Sequence, residues 1–283
     1  MDNNNNKRHF FQLLASYITN GNIKGFFNGK IYTGSLKKFC VPGLNCYSCP
    51  GALGSCPIGS MQAVIGSMKY SFSYYILGSI TLFGVVLGRF ICGWLCPFGF
   101  VQDLINKIPS PKIKVPAKIH NIFKYLKYVI LLLFVFILPF IFQDELGISD
   151  PYFCKYICPS GTLFGGLPLI SLNPSLRSGL GFLFNWKLSI LIIIILLSIF
   201  IYRIFCKYLC PLGAFYALLN PISLYKIKID ENKCIRCDIC TKTCKMNIEP
   251  YKNPNDRECI RCGDCSKACP KDAIKNGFNI RKI

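Results

Sequence analysis

The residues able to do chemistry in this chain of 283 are its 18 cysteines, and their spacing says more than their number. Near the C-terminus the chain runs Cys234-x2-Cys237-x2-Cys240-x3-Cys244 and then Cys259-x2-Cys262-x2-Cys265-x3-Cys269-Pro270. Three thiols in so tight a loop, with backbone N–H groups turned toward sulfur, suit a cubane cluster, and in this doubled spacing the fourth cysteine of each run crosses to the other site. The pattern therefore predicts one 4Fe-4S cluster on Cys234, Cys237, Cys240 and Cys269, and a second on Cys259, Cys262, Cys265 and Cys244. Zinc sites would normally show paired C-x2-C knuckles instead of three cysteines per loop.

A second pattern, C-x3-C-P-x-G, recurs. Arg89-Phe-Ile-Cys92-Gly-Trp-Leu-Cys96-Pro97-Phe-Gly99 and Arg203-Ile-Phe-Cys206-Lys-Tyr-Leu-Cys210-Pro211-Leu-Gly213 share offsets, and each follows an apolar run. A looser copy is Tyr152-Phe-Cys154-Lys-Tyr-Ile-Cys158-Pro159-Ser-Gly161. The equal offsets predict that Cys92, Cys96, Cys206 and Cys210 join as a four-thiolate site for a third 4Fe-4S cluster, the bland alternative being helix-end thiols that merely pack. Arg89 and Arg203 either offset the charge of such a cluster or snorkel to lipid headgroups. Trp94 and Tyr208 either line a quinone pocket or anchor the membrane interface. Upstream, Cys40, Cys46, Cys49 and Cys56 fall within seventeen residues and end in Cys-Pro-x-Gly. They suit two disulfides, a zinc knuckle or, as favoured here, an iron-sulfur site. With Cys154 and Cys158 they make six candidates for a fourth, outer-face site that takes four of them.

Positioning these thiols falls to apolar segments. Hydrophobic residues make up 52% of the chain and charged ones 16%, concentrated as in a membrane protein. Spans are expected over about 72–91, 123–142 and 187–205. The loop after the first carries Lys107, Lys112, Lys114, Lys118, Lys124 and Lys127 against Asp103 alone, so it is cytoplasmic by the positive-inside rule. That puts 92/96, 206/210 and the C-terminal tail on the cytoplasmic side, and Cys154, Cys158 and the early cysteines on the outer face. The net charge of +20 is read as membrane-loop charge and not as nucleic-acid binding. An Asn-rich start, expected to be disordered, leads into a short amphipathic segment from Phe10 to Ile18, broken by Gln12 and Ser16. It is interfacial or re-entrant, or else part of a fourth crossing over roughly 10–32; it is not a cleavable signal peptide. The expected fold is a mainly α membrane protein with three transmembrane helices and an α+β bacterial two-cluster ferredoxin-like domain at its C-terminus. Its segments are an N-terminal polar and amphipathic stretch over 1–39, a four-cysteine stretch over 40–71, a membrane domain over 72–222 and the ferredoxin-like domain over 223–283.

With the tail and the repeats in view, residues 72–283 resemble the membrane polyferredoxins of the NapH/MauN type, on R-F-I-C-G-W-L-C-P at 89–97, R-I-F-C-K-Y-L-C-P at 203–211 and the tail. The resemblance implies a cytoplasmic ferredoxin domain on a few membrane helices, passing electrons between a ferredoxin, flavoprotein or quinone donor and a membrane or extracytoplasmic acceptor. The cysteines at 40–56 and 154/158 depart from that pattern, so the family's role in feeding a nitrate reductase is not carried over. Because the hydrocarbon core is about 30 Å thick, clusters at both faces would make a transmembrane wire. Competing readings are a quinol/quinone oxidoreductase subunit and a redox-sensing regulatory or assembly protein. Haem is disfavoured, with no C-x-x-C-H and only His9 and His120 as axial candidates, and no G-x-G-x-x-G marks a nicotinamide site.

Overall fold

The computed structural model describes residues 3–67, 73–145 and 147–278. The chain is mostly helical, with one two-stranded antiparallel sheet near its end. Among the described residues two helices are long and apolar enough to cross a membrane. Ala117–Ile141 has 25 residues at mean hydropathy 2.1, and Phe182–Phe200 has 19 at 2.3. At 1.5 Å per residue they reach roughly 37 and 28 Å. Only 28% and 17% of their most apolar windows are buried, so side chains such as Leu132, Ile192, Ile193 and Leu196 face outward as lipid-facing residues do.

The third expected span comes out shorter. Part of it, Phe72, lies outside the described residues, and the helix itself is Tyr74–Leu87, 14 residues, or roughly 21 Å. Gly88 ends it at φ +55°, a left-handed conformation that suits glycine. Arg89 then turns inward instead of extending the helix.

The N-terminus corrects two expectations. The Asn run opens a helix, Asn3–Thr19, and is not a disordered leader. The helix stops at Thr19, so no single helix runs through 10–32; Asn22 N–H bonds Gly51 O and Leu53 N–H bonds Thr19 O, tying its end to the four-cysteine loop. Gln12, expected to interrupt an apolar face, is fully buried and donates to Gly93 O and Asp103 Oδ2, both at 3.0 Å. The polar side of this helix docks on the protein, while Phe10, Leu13, Tyr17 and Ile18 stay exposed.

The loop over 40–56 enters the core. Leu44 and Cys49 are each 1% exposed, a parallel bridge joins Cys40 to Ser55, and Tyr216 Oη donates to Pro42 O at 2.9 Å.

In the tail, strand β1 (Tyr225–Ile229) pairs with β2 (Ile274–Phe278) in the register Tyr225 to Phe278 through Ile229 to Ile274. This closes the two cysteine runs into one unit. The second run seats on the 92/96 motif: Trp94 Nε1 donates to Arg261 O at 3.0 Å, and a Cβ on Gly93 would stand 2.3 Å from Ile260 O, so only glycine permits that approach. Glu258 is the electrostatic bolt, accepting from Arg89 Nη1 at 2.7 Å and from Lys127 Nζ. Replacing Glu258 by Gln leaves two buried cations without their carboxylate, at a cost of about 3–5 kcal/mol. The expected result is a lower thermal midpoint in detergent and faster proteolytic release of the tail than in the parent protein; unchanged behaviour in both would refute the bolt.

Candidate iron-sulfur sites

Each cysteine run of the tail is shaped by left-handed residues at matching offsets. Arg236, Asp238 and Asn247 in the first run, and Arg261, Gly263 and Asp272 in the second, all have positive φ. Such reversals turn successive N–H groups to one side of a loop. Cys234, Cys237, Cys240 and Cys269 line one cavity, and Cys244, Cys259, Cys262 and Cys265 line another. Each set thus draws three thiols from one run and one from the other. Cys265 lies within electrostatic reach of Cys240 as well as of Cys244 and Cys259, which puts the two cavities side by side. Cys237 is solvent-exposed, whereas Cys259 and Cys265 are buried.

The C-P-x-G motif has a local structural reason. Cys56, Cys96, Cys158 and Cys210 are each the N-cap of a helical segment whose first residue is proline. Proline is favoured there because its missing N–H would be unpaired anyway. The glycine two residues later donates its N–H back to sulfur, at 3.4 Å from Gly161 to Cys158 and 3.3 Å from Gly213 to Cys210, a cap in which sulfur stands for the usual oxygen. A side chain at that position would crowd the motif's own first carbonyl and touch the partner motif's arginine: a Cβ on Gly99 would meet Cys92 O and Arg203, and one on Gly213 would meet Cys206 O and Arg89.

Those contacts reveal a reciprocal arrangement. Arg89 of the first copy donates to Cys206 O of the second at 3.2 Å, and Arg203 of the second donates to Cys92 O of the first. The four thiols Cys92, Cys96, Cys206 and Cys210 are buried and within electrostatic reach of one another. Gln102, which sequence reasoning missed, completes the set: its Nε2 donates to Cys206 Sγ at 3.0 Å and its Oε1 accepts from Phe205 N–H at 3.2 Å.

Neither arginine snorkels, since both are 0% exposed. Arg203 is clamped by Asp103, with Nε to Oδ1 at 2.7 Å, and Arg8 stands 3.5 Å from the same carboxylate. Each carboxylate serves two cations, Arg89 with Lys127 for Glu258 and Arg203 with Arg8 for Asp103. Each triad therefore keeps one surplus positive charge beside the thiols, which fits an anionic thiolate-bound cluster. Burial, with Cys96 beside it, pushes the Cys206 thiol up to about 12 against the opposing pull of Arg203. Trp94 stacks on Phe90 at 5.2 Å and docks the tail; Tyr208 is buried against His120, 3.0 Å from its Nδ1.

The six other cysteines divide unequally. Cys46, Cys56, Cys154 and Cys158 gather, whereas Cys40 stands near Cys56 alone and Cys49 near Cys46 alone of these thiols. All 18 are free thiols. Among the described residues no three His, Cys, Asp or Glu side chains close on a single-ion centre.

The comparisons with known proteins agree with this geometry. Residues 72–116 and 186–230 match the family profile of a 4Fe-4S binding domain, and 254–275 match a second profile of that description. Over 211 residues the chain is 31% identical to protein MJ0750 of Methanocaldococcus jannaschii, covering 72% of this chain and 78% of the relative. The chain belongs to the 4Fe-4S ferredoxin-type family. It is also 30% identical over 172 residues to ferredoxin-type protein NapH of Haemophilus influenzae, across 58% of this chain and 50% of NapH. Regulatory protein NosR of Pseudomonas aeruginosa is 29% identical over 180 residues, but this chain covers only 22% of NosR. No solved structure matches. Iron-sulfur electron transfer is thus the family's chemistry, and 4Fe-4S clusters are its cofactor. The matched segments contain Cys92, Cys96, Cys206, Cys210 and the second tail run, and leave Cys40 to Cys56 and the pair at 154/158 outside.

Burial alone would raise the Asp103 carboxyl, but Arg203 and Arg8 outweigh it and hold it at about 2. The same contest, with Arg89 and Lys127, holds Glu258 at about 2. Both lie below their unfolded values of roughly 4, so the stability they contribute is complete above about pH 4 and is lost as pH falls toward 2. Apoprotein stability in detergent should be flat from neutral pH to about pH 5 and then drop steeply. In Asp103→Asn the midpoint should be lower at neutral pH and the acid drop smaller; an unaltered acid limb would contradict the assignment.

Proposed function

We propose that the chain is a membrane-bound electron-transfer protein that relays electrons between 4Fe-4S clusters of its tail and a membrane or extracytoplasmic acceptor or quinone. The observation that carries this reading is the docking of the second tail run onto the 92/96 motif, with Ile260 O against Gly93 and Arg261 O accepting from Trp94. Lys207, inside the 206/210 motif, reaches back to Asn247 Oδ1 at 3.1 Å, three residues past Cys244. The tail cavity around Cys244, Cys259, Cys262 and Cys265 therefore abuts the four buried thiols.

In this reading residues 223–283 are a two-cluster ferredoxin-like domain, with Cys234, Cys237, Cys240 and Cys269 on one cluster and Cys259, Cys262, Cys265 and Cys244 on the other. Residues 72–222 form the membrane domain, where Cys92, Cys96, Cys206 and Cys210 hold a third. Bound there, such clusters supply one-electron transfer without proton or group chemistry. The protein's own part is electrostatic and positional. Arg89 and Arg203 offset the charge of four thiolates, Gln102 and the motif glycines donate hydrogen bonds to sulfur, and Glu258 keeps the tail seated. The exposed Cys237 edge is the side offered to a soluble ferredoxin or flavoprotein. The basic loop over 107–127 supports a cytoplasmic tail.

The test is iron and acid-labile sulfide per chain, with redox-titrated EPR, on full-length protein purified without oxygen. Parent protein should carry at least three distinct cluster signals. Paired Cys92→Ala and Cys206→Ala substitutions should remove about four irons and one signal while leaving the tail signals in place. Unchanged iron in that variant would remove the buried thiols from the relay.

A further inference from the structure

The reciprocal site at 92/96/206/210 has an unexpected counterpart. Gln62 Nε2 donates to Cys154 Sγ at 3.3 Å and its Oε1 accepts from Phe153 N–H at 2.8 Å. Gln102 makes the same two bonds to Cys206 and Phe205. Gln62 follows Cys56 by six residues, as Gln102 follows Cys96, and Phe-Cys-Lys-Tyr-x-Cys-Pro-x-Gly occurs at both 153–161 and 205–213. Each half of the molecule thus joins a Cys-Pro-x-Gly-x-x-Gln element to a Phe-Cys-Lys-Tyr-x-Cys-Pro-x-Gly element.

The second half lacks a cysteine where the first has Cys92: four residues before Cys56 stands Ala52. Cys46 fills the role from the buried loop. It lies within electrostatic reach of Cys154 and Cys158, and a Cβ on Gly165 would stand 3.1 Å from its sulfur, so that glycine makes its room. Lys187 replaces the arginine, donating to Cys154 O at 3.1 Å. The two halves touch: Leu44 N–H points at the Cys96 thiol and the next N–H, of Asn45, at Cys56. Successive Cα atoms are about 3.8 Å apart, so the two thiol sets are neighbours.

We propose that Cys46, Cys56, Cys154 and Cys158 hold a further 4Fe-4S cluster, seated beside the 92/96/206/210 site and not across the bilayer from it, with Gln62 as a positioning residue that tunes it through the Cys154 sulfur. Its place in electron transfer rests on the reading above; its existence rests on these residues alone. A single zinc ion fits poorly, because no three such donors close on one centre among the described residues. Cys40 and Cys49 stand aside.

The experiment uses the full chain in detergent, purified anaerobically, with zinc measured alongside iron and sulfide. Cys56→Ser with Cys154→Ser should lose about four irons and four sulfides and one EPR signal, with the tail signals retained. Cys40→Ala with Cys49→Ala should lose none. Equal iron in the two variants, or one zinc per parent chain in place of that iron, overturns the proposal. Should the double-Ser variant fail to fold, Gln62→Glu decides, because it keeps an acceptor for Phe153 N–H and all four thiols. It should retain full iron yet move the midpoint of one cluster downward, a different cluster from the one moved by Gln102→Glu. No shift, or the same signal moved by both, overturns it. Tail signals are scored separately, so missing tail clusters would count against the electron-transfer reading and not against this site.

Discussion

Two buried guanidinium groups set the arrangement on which the rest depends. Arg89 and Arg203 are both 0% exposed, and each reaches across to the backbone carbonyl of the first cysteine in the other's motif. A charge so placed costs several kcal/mol unless it is paired and fully hydrogen-bonded. Pairing here recruits distant parts of the chain: Glu258 from the tail for Arg89, and Asp103 for Arg203, which Arg8 of the N-terminal helix also approaches. Pairing these two charges therefore ties together the facing of the motif copies, the docking of the tail and the place of the N-terminal helix.

The same constraint accounts for the motif residues. Cysteine caps a helical start, proline occupies the first position, and glycine supplies both an N–H for sulfur and room for its own motif's carbonyl and the partner's arginine. Hydrogen bonds to ligand sulfur and nearby positive charge both favour the more reduced, more negative state of a thiolate-bound centre. A cluster held at these buried N-caps would gain that bias from the surplus cation, while burial itself would oppose it.

Much of this was legible in the residues. The doubled tail spacing and the equal offsets at 92/96 and 206/210 pointed to the sets that the fold brings together, because thiol spacing is a local property. The burial of Arg89 and Arg203 was not legible, since a basic residue at a helix end looks the same whether it meets lipid headgroups or a carboxylate 169 residues away. Gln62 and Gln102 carried a readable signal, the shared Cys-Pro-x-Gly-x-x-Gln, which escaped notice because glutamine has no standing as a ligand. Gln12 misled for a related reason: counted as a break in an apolar face, it is the buried donor that holds the helix to Asp103. The shortened helix Tyr74–Leu87 turned on the backbone of Gly88, which hydropathy does not register.

The loop over 40–56 lies where the two thiol sets meet. Opposite membrane faces are about 30 Å apart, so thiols assigned to opposite faces would be poorly placed to exchange electrons. The fold removes that difficulty by bringing the loop inward. Pro42 O is held by Tyr216 Oη, Leu44 and Asn45 are each 1% exposed, and their consecutive N–H groups address Cys96 and Cys56. Irregular backbone is tolerated in a protein interior where its polar groups find partners, and here thiols and a tyrosine hydroxyl are among those partners. The loop that looked like an outer-face appendage is the element that makes the two halves of the molecule contiguous. The Leu44–Asn45 peptide stands between them, with one N–H toward each set.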